Sequence, residues 1–270
     1  MELVELSRGL SPVILAFPHT GTWVPDDIRA NLNEEGRKLR DTDWHVHELY
    51  RGLLPAATTV RATFHRYCID ANRDPAGTSL YPGQNTTGLV PLTDFDDNPL
   101  WIEGRAPDAD EIARRVERFH APYHQVLAAE IERVKARHGV AVLYDCHSIR
   151  SVCPFLFEGV LPDFSIGTDN GRTCDPLMEQ EVGAICMAAE GFSTVVNGRF
   201  RGGWTTRHYG RPKEGVHAIQ MELTQATHLK SETPPFDYDV ENAARLRDVL
   251  KKILQRLEAL AFEIAARRGG

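Results

Sequence analysis

Val140-Ala141-Val142-Leu143-Tyr144-Asp145-Cys146-His147-Ser148 is an apolar run that stops on an acid, a thiol, an imidazole and a hydroxyl. Residues 140–144 predict a strand buried on both faces, and the polar residues behind them predict its exit into a crevice. Helical patterns flank it. Between residues 108 and 138, Ile112, Val116, Phe119, Tyr123, Val126, Leu127, Ile131 and Val134 recur at the spacing of one buried helical stripe, with Gly139 as its C-cap. Pro122 inside that run predicts a kink or two abutting helices. Further strands are predicted over 12–17, 58–64, 66–70, 194–196 and 216–223, and helices over 43–54 and 175–189. A closing helix carries the stripe Leu246, Val249, Leu250, Ile253, Leu257, Leu260 and Ile264. Strands and helices alternating in this way specify an α/β fold. No linker, repeat or low-complexity tract breaks the chain, so it is read as one domain, 1–270.

Composition narrows the function. With 42% hydrophobic and 26% charged residues the chain is an ordinary globular one. Its 31 Lys+Arg against 38 Asp+Glu leave a net charge of −7, which repels a polyanion and argues against nucleic acid as a partner. No stretch of about 18 apolar residues is present to cross a membrane. The N-terminal apolar run 13–17 lacks a basic leader and a small-residue cleavage site, so no secretion signal is expected. Five cysteines (Cys68, Cys146, Cys153, Cys174, Cys186) are an odd, scattered set without a CxxC pair, which fits the reducing cytoplasm. Residues 78–98, rich in Gly, Pro, Asn and Thr, form a long aperiodic loop of the kind that usually carries function.

In an open α/β sheet, ligands bind at the carboxyl ends of the strands. His19, His147 and Glu222 are predicted at such ends, and Asp43 at the start of the helix that follows the first strand. Two imidazoles and a carboxylate with an open fourth position are the donor set of a catalytic zinc. The plain alternative is a set of hydrogen-bonded structural histidines among the 11 in the chain. His45 and His47, two apart on a helix, point away from each other and make a poor ligand pair. Cys146 reads as a buried structural thiol, because adjacent strand side chains face opposite ways. Asp145 shares a face with His147 and is placed to orient it as a second-shell partner. Arg66, Arg73, Arg150, Arg199, Arg201, Arg207 and Arg211 gather near these positions in an acidic chain, which points to a small anionic substrate gripped by guanidinium forks.

Eight segments, in order, are Pro18-His19-Thr20-Gly21, Asp41-Thr42-Asp43-Trp44, Ile69-Asp70-Ala71-Asn72-Arg73, Tyr81-Pro82-Gly83-Gln84, Asp145-Cys146-His147-Ser148-Ile149-Arg150, Asn197-Gly198-Arg199-Phe200, the run from Gly202 to Gly210 and Gln220-Met221-Glu222-Leu223. Together they resemble the N-formylglutamate deformylases (N-formylglutamate amidohydrolases) of histidine degradation. The resemblance implies a mixed sheet flanked by helices, a zinc-carboxypeptidase-like fold of the phosphorylase/hydrolase type, similar also to aspartoacylase. It implies hydrolysis of N-formyl-L-glutamate to formate and L-glutamate. By position it implies His19, Asp43 and His147 as ligands of Zn2+ or another divalent metal, with Asp41 competing with Asp43, and Glu222 as general base. Asn72, Arg73, Arg150, Arg207, His208 and Tyr81 are the expected substrate-binding residues, the arginines taking the two substrate carboxylates. A hydrolase of another N-acyl amino acid or small peptide is the neighbouring possibility. A binding protein that has kept the fold without the chemistry is the more distant one.

Overall fold

The computed structural model describes residues 2–79 and 83–269. One seven-stranded sheet runs in the order β1-β3-β2-β4-β7-β5-β6, with β1 Val4–Ser7, β2 Val13–Phe17, β3 Thr58–Ala62, β4 Ala141–Ile149, β5 Phe164–Gly167, β6 Thr194–Val196 and β7 Val216–Thr224. The central strands β3, β2, β4 and β7 are parallel, β1 and β5 pair antiparallel with β3 and β7, and β6 is parallel to β5. The mixed sheet expected from the sequence is therefore present. Its helices are α1 Asp26–Arg29, α2 Glu34–Arg37, α3 Val46–Tyr50, α4 Ala109–Arg115, α5 Ala121–His138, α6 Pro176–Met187, α7 Trp204–Tyr209 and α8 Val240–Gly269.

Two apolar layers follow from strand alternation. Val142, Tyr144 and Cys146 of β4 join Leu15, Phe17, Ile219 and Met221 beneath α8, whose Leu246, Leu250, Ile253, Leu257, Leu260 and Ile264 are buried as the stripe predicted. Each such side chain stabilises the fold by about 1.5–3 kcal/mol. On the other face, Ala141 and Leu143 meet Ile14, Ala16, Val216 and Ala218 under Phe119, Tyr123, Leu127, Ile131 and Val134. Going along β4 on this second face, the series Ala141, Leu143, Asp145, His147 turns from apolar to polar, and β7 does the same through Val216, Ala218, Gln220, Glu222. The chain steps from β2 to β3 on one side and then to β4 on the other, so the carboxyl ends of β2 and β4 flank the point where the winding reverses.

Several local expectations are corrected. The segment 66–70 is turn, not strand, because Tyr67 N bonds to His65 Nδ1 and Cys68 N to His65 O, which folds the chain back towards β2. The helix expected over 43–54 is only α3, since His45 starts it at φ 60° and Gly52 stops it at φ 75°. β4 runs five residues past its predicted end, so Asp145, Cys146 and His147 lie within the strand. The two abutting helices expected around Pro122 are present as α4 and α5. A π-helical turn over Val116–His120 joins α4 to α5, and the proline sits in the first turn of α5 where its missing N–H costs little.

Candidate active site

His19 follows β2 by two residues, and its carbonyl accepts the backbone N–H of Asp43 at 3.0 Å. That bond ties the Asp43 carboxylate to the end of β2 before α3 begins. His147 reaches the same place from β4. His19 Nδ1 and His147 Nδ1 are 3.2 Å apart, and Asp43 Oδ2 lies 3.2 Å from His147 Nδ1 and 3.7 Å from His19 Nδ1. Among the described residues these three make the only group of its kind, with ligand atoms within 4.8 Å of one another and all three side chains buried. Asp41, the competing carboxylate, turns away: its Oδ2 accepts from Tyr67 Oη at 2.9 Å and from Phe95 N at 3.1 Å.

Each imidazole is held from behind by a carboxylate. Asp70 Oδ1 lies 2.6 Å from His19 Nε2, and Asp145 Oδ1 lies 3.1 Å from His147 Nε2. Asp70 faces the outer nitrogen of His19, and the outer nitrogen of His147 is met both by Asp145 and by Asn72 Nδ2 at 3.1 Å. His19 Nδ1, His147 Nδ1 and Asp43 Oδ2 thus lie between 3.2 and 3.7 Å from one another, close enough for one cation to be shared among them. Burial alone would neutralise Asp43 and Asp70, yet His147, His19 and Arg66 hold Asp43 well below the usual carboxylate range, and His19, Arg73 and Arg66 do the same for Asp70. His147 is displaced upwards, the charges of Asp145 and Asp43 outweighing its burial. The donor set thus fits a divalent metal of the zinc type.

Glu222 stands directly across from His147 in the β4–β7 register and is almost fully buried. Its Oε2 accepts from Gln220 Nε2 at 3.2 Å, and Gln220 Oε1 in turn accepts from Gly203 N at 2.6 Å. Burial, with the nearby charges of Asp43 and Asp145, raises its pKa. His19, His147, Glu222, Asn72, Arg66, Arg73 and Arg199 all line one cavity. The Arg66 guanidinium lies against the His19 ring, with Nη2 2.8 Å from Nε2, and within 3.5 Å of Asp70 and 3.9 Å of Asp43. Arg73 is held by Thr87 O at 3.0 Å and Thr87 Oγ1 at 3.1 Å, and Arg199 by Leu156 O and Asn85 O.

Other expected site residues stand elsewhere. Arg150 is turned to Asp96 at 2.9 Å, Arg207 to Gly202 O at 2.9 Å and towards Asp169, and His208 stacks on Trp204 with ring centroids 4.2 Å apart. None of the three lines the cavity. Tyr81 lies outside the described residues. Arg66 and Arg199 line it instead, and Asp70 and Gln220 contact His19 and Glu222 respectively. Asp70 sits four residues after Arg66 and directly before Ala71-Asn72-Arg73, which is the sequence signal that could have singled it out.

Comparison with known proteins gives the family. The N-formylglutamate amidohydrolase profile matches residues 11–229, most of the chain. The chain belongs to the N-formylglutamate amidohydrolase family. It is 45% identical to the N-formylglutamate deformylase of Pseudomonas aeruginosa over 263 residues, and 44% identical to that of Pseudomonas putida over 265. Each alignment covers 97% of this chain and 98% of the relative. The crystal structure of the N-formylglutamate amidohydrolase from Ralstonia eutropha JMP134 superposes with a TM-score of 0.78 at 26% identity, covering all of both chains. A gene product of Agrobacterium tumefaciens shares the fold at a TM-score of 0.72 and 18% identity, over 96% of this chain and 97% of its own. Every site residue of this family member named above, from His19 to Glu222, lies inside the matched span.

Proposed function

We propose that this amidohydrolase cleaves N-formyl-L-glutamate to formate and L-glutamate, as a step of histidine degradation, and that it does so with a divalent metal held by His19 Nδ1, His147 Nδ1 and Asp43. The observation that carries the reading is the cluster of His19, His147 and Asp43, whose two histidines line one cavity with a buried glutamate and three arginines. The names of the Pseudomonas relatives support the substrate. When bound, such a metal supplies a Lewis acid for the formyl oxygen and lowers the pKa of water to near neutrality.

The chain's own residues do the rest. Glu222 accepts a proton from the water that attacks the formyl carbon, then returns it to the glutamate nitrogen as the C–N bond breaks. A carboxylate whose pKa burial has raised is suited to both halves of that transfer. Asp145 and Asp70 lie against the outer nitrogens of the two imidazoles and keep their Nδ1 atoms turned towards Asp43. Arg66, next to His19, is placed to take the negative charge that develops on the formyl oxygen. Arg73 and Arg199 are assigned to the two substrate carboxylates, since each must exchange its water for a cationic partner on entering the cavity.

The five cysteines are all free and buried, in keeping with the cytoplasm as the compartment. No helix among the described residues is long and apolar enough to cross a membrane. Incubation of the purified protein with N-formyl-L-glutamate tests the reading: formate and glutamate should appear in equal amounts. Turnover of N-acetylglutamate or a small peptide in preference to the formyl compound would replace the substrate, and no turnover of any N-acyl amino acid would overturn the activity.

A further inference from the structure

We propose that His120 and His124 are positioning residues that clamp the segment Ala71-Asn72-Arg73 from outside the cavity and thereby set where Asn72 and Arg73 meet the substrate. The two histidines are four apart, one ending the π-helical turn and the other in the first turns of α5, so their rings share a face, with centroids 4.4 Å apart. His120 Nε2 donates to Arg73 O at 3.0 Å, and His124 Nε2 donates to Ala71 O at 2.8 Å. The carbonyls on either side of Asn72 are therefore gripped by one helix. They belong to a turn outside the sheet ladder, and buried carbonyls of that kind require a donor from elsewhere.

The grip is closed from the opposite side by α7. Trp204 packs on both imidazoles, at 5.3 Å from His120 and 4.7 Å from His124, and Thr205 N donates to Asn72 Oδ1 at 2.9 Å. Tyr209 Oη lies 3.1 Å from His124 Nδ1 and 3.3 Å from the His124 carbonyl, and the carbonyl of Ala71, which can only accept, fixes the ring's N–H on Nε2. Burial holds His124 neutral, its pKa pushed down to about 3. The π-helical turn supplies the aim: the extra residue in its widened ring turns His120 onto the segment, the use to which such turns are put at functional sites. Asp70 is anchored through its own backbone N–H to Leu89 O at 2.7 Å, while its Oδ1, which faces His19, also accepts from Asn72 N at 2.8 Å, so the Asp70 anchor limits how far a loosened segment could disturb the His19 contact.

The kinetic test rests on the proposed hydrolysis; the spectroscopic one does not. Variants His120→Leu and His124→Leu remove the donors, while His120→Gln and His124→Gln keep an N–H near Nε2. The clamp predicts that the leucine variants raise KM for N-formylglutamate at least tenfold with kcat within threefold and bound metal unchanged, and that the glutamines recover most of the loss. A fall in thermal stability with KM unaltered, or an equal loss in the Gln and Leu variants, would overturn it. Should the leucine variants not fold, nitrogen NMR of the imidazoles in the wild type, assigned by the glutamine variants, decides. Two neutral rings locked as Nε2–H at pH 7 support the clamp, and Nδ1–H or exchange-averaged rings refute it. A wild type inactive on N-formylglutamate but with both rings locked would count against the hydrolysis and leave the clamp standing.

Discussion

Gly203→Ala puts a methyl group where Asn72 already stands. Gly203 has extended backbone angles (φ −78°, ψ −169°) that alanine adopts without strain, so the methyl is the whole perturbation. It would lie 2.3 Å from Asn72 Nδ2, 2.5 Å from Oδ1 and 2.6 Å from Cγ, where real Cβ atoms keep at least 3.0 Å. Asn72 must therefore retreat by roughly 0.7 Å or more. It cannot do so and keep the 2.9 Å bond from Thr205 N. Leaving that donor buried and unpaired costs about 1–3 kcal/mol, a fall of several degrees in Tm for a chain of this size. An error approaching 1 Å in a group that positions substrate costs on the order of 10²-fold in rate. Initial rates of formate release over a range of N-formylglutamate concentrations, with a thermal melt and metal analysis on the same preparation, should show kcat/KM reduced about 10- to 100-fold and metal retained. A folded, metal-loaded Gly203→Ala protein with kcat/KM within about twofold of wild type would refute the placement of Asn72 in the substrate's site.

Glu222→Gln keeps the shape and can still pair with Gln220, so the metal is expected to stay while kcat falls by about 10² to 10⁴; loss of metal with the carboxylate would make Glu222 a ligand instead. Arg73→Lys keeps the charge but cannot reproduce the fork braced on Thr87, and kcat/KM should drop roughly tenfold to a thousandfold, with N-formylglutamine turned over far more slowly than N-formylglutamate by the wild type. Equal kcat/KM for the two compounds would show that the distal carboxylate is not read. Asp41 has its pKa raised to about 7 by burial, so the folded state binds its proton more tightly than the unfolded chain, and its contribution is greatest below pH 4 and is lost as pH rises to 7. Asp41→Asn can still accept from Tyr67 and Phe95, and melts followed from pH 4 to 8 should show it gaining on the wild type by up to about 4 kcal/mol; parallel stability curves would contradict this.

The parts of the fold legible in the sequence are those where period and burial agree. β2, β4 and β7 are apolar runs with polar residues at their carboxyl ends, and the α8 stripe has no competing reading. β1 alternates Val4, Glu5, Leu6, Ser7 and carried a two-residue signal that went unused, while β5 is four residues long and buried on both faces, too short for any period to show. The positions of His19, His147 and Glu222 followed from strand ends and that of Asp43 from a helix start, while the roles expected of them came from the family resemblance. The arginines did not follow from spacing, because a long side chain in a loop goes to whichever partner lies near in three dimensions. Arg150 found Asp96 and Arg207 found Asp169, both remote in sequence, whereas Arg66 is carried to His19 by turns that the apolar character of Tyr67, Cys68 and Ile69 disguised as a strand.

Metal content measured on the purified protein beside its rate of formate release, before and after chelation, tests the central claim most directly. The geometry predicts about one divalent ion per chain, activity abolished by a strong chelator and restored by zinc or a similar ion, and loss of both ion and activity in His19→Ala and His147→Ala. Cys146→Ala serves as the control, since this thiol is buried on the opposite face of β4 among apolar side chains and should keep ion and rate. Full activity in metal-free protein, or a dead but metal-loaded Cys146→Ala, would contradict the account.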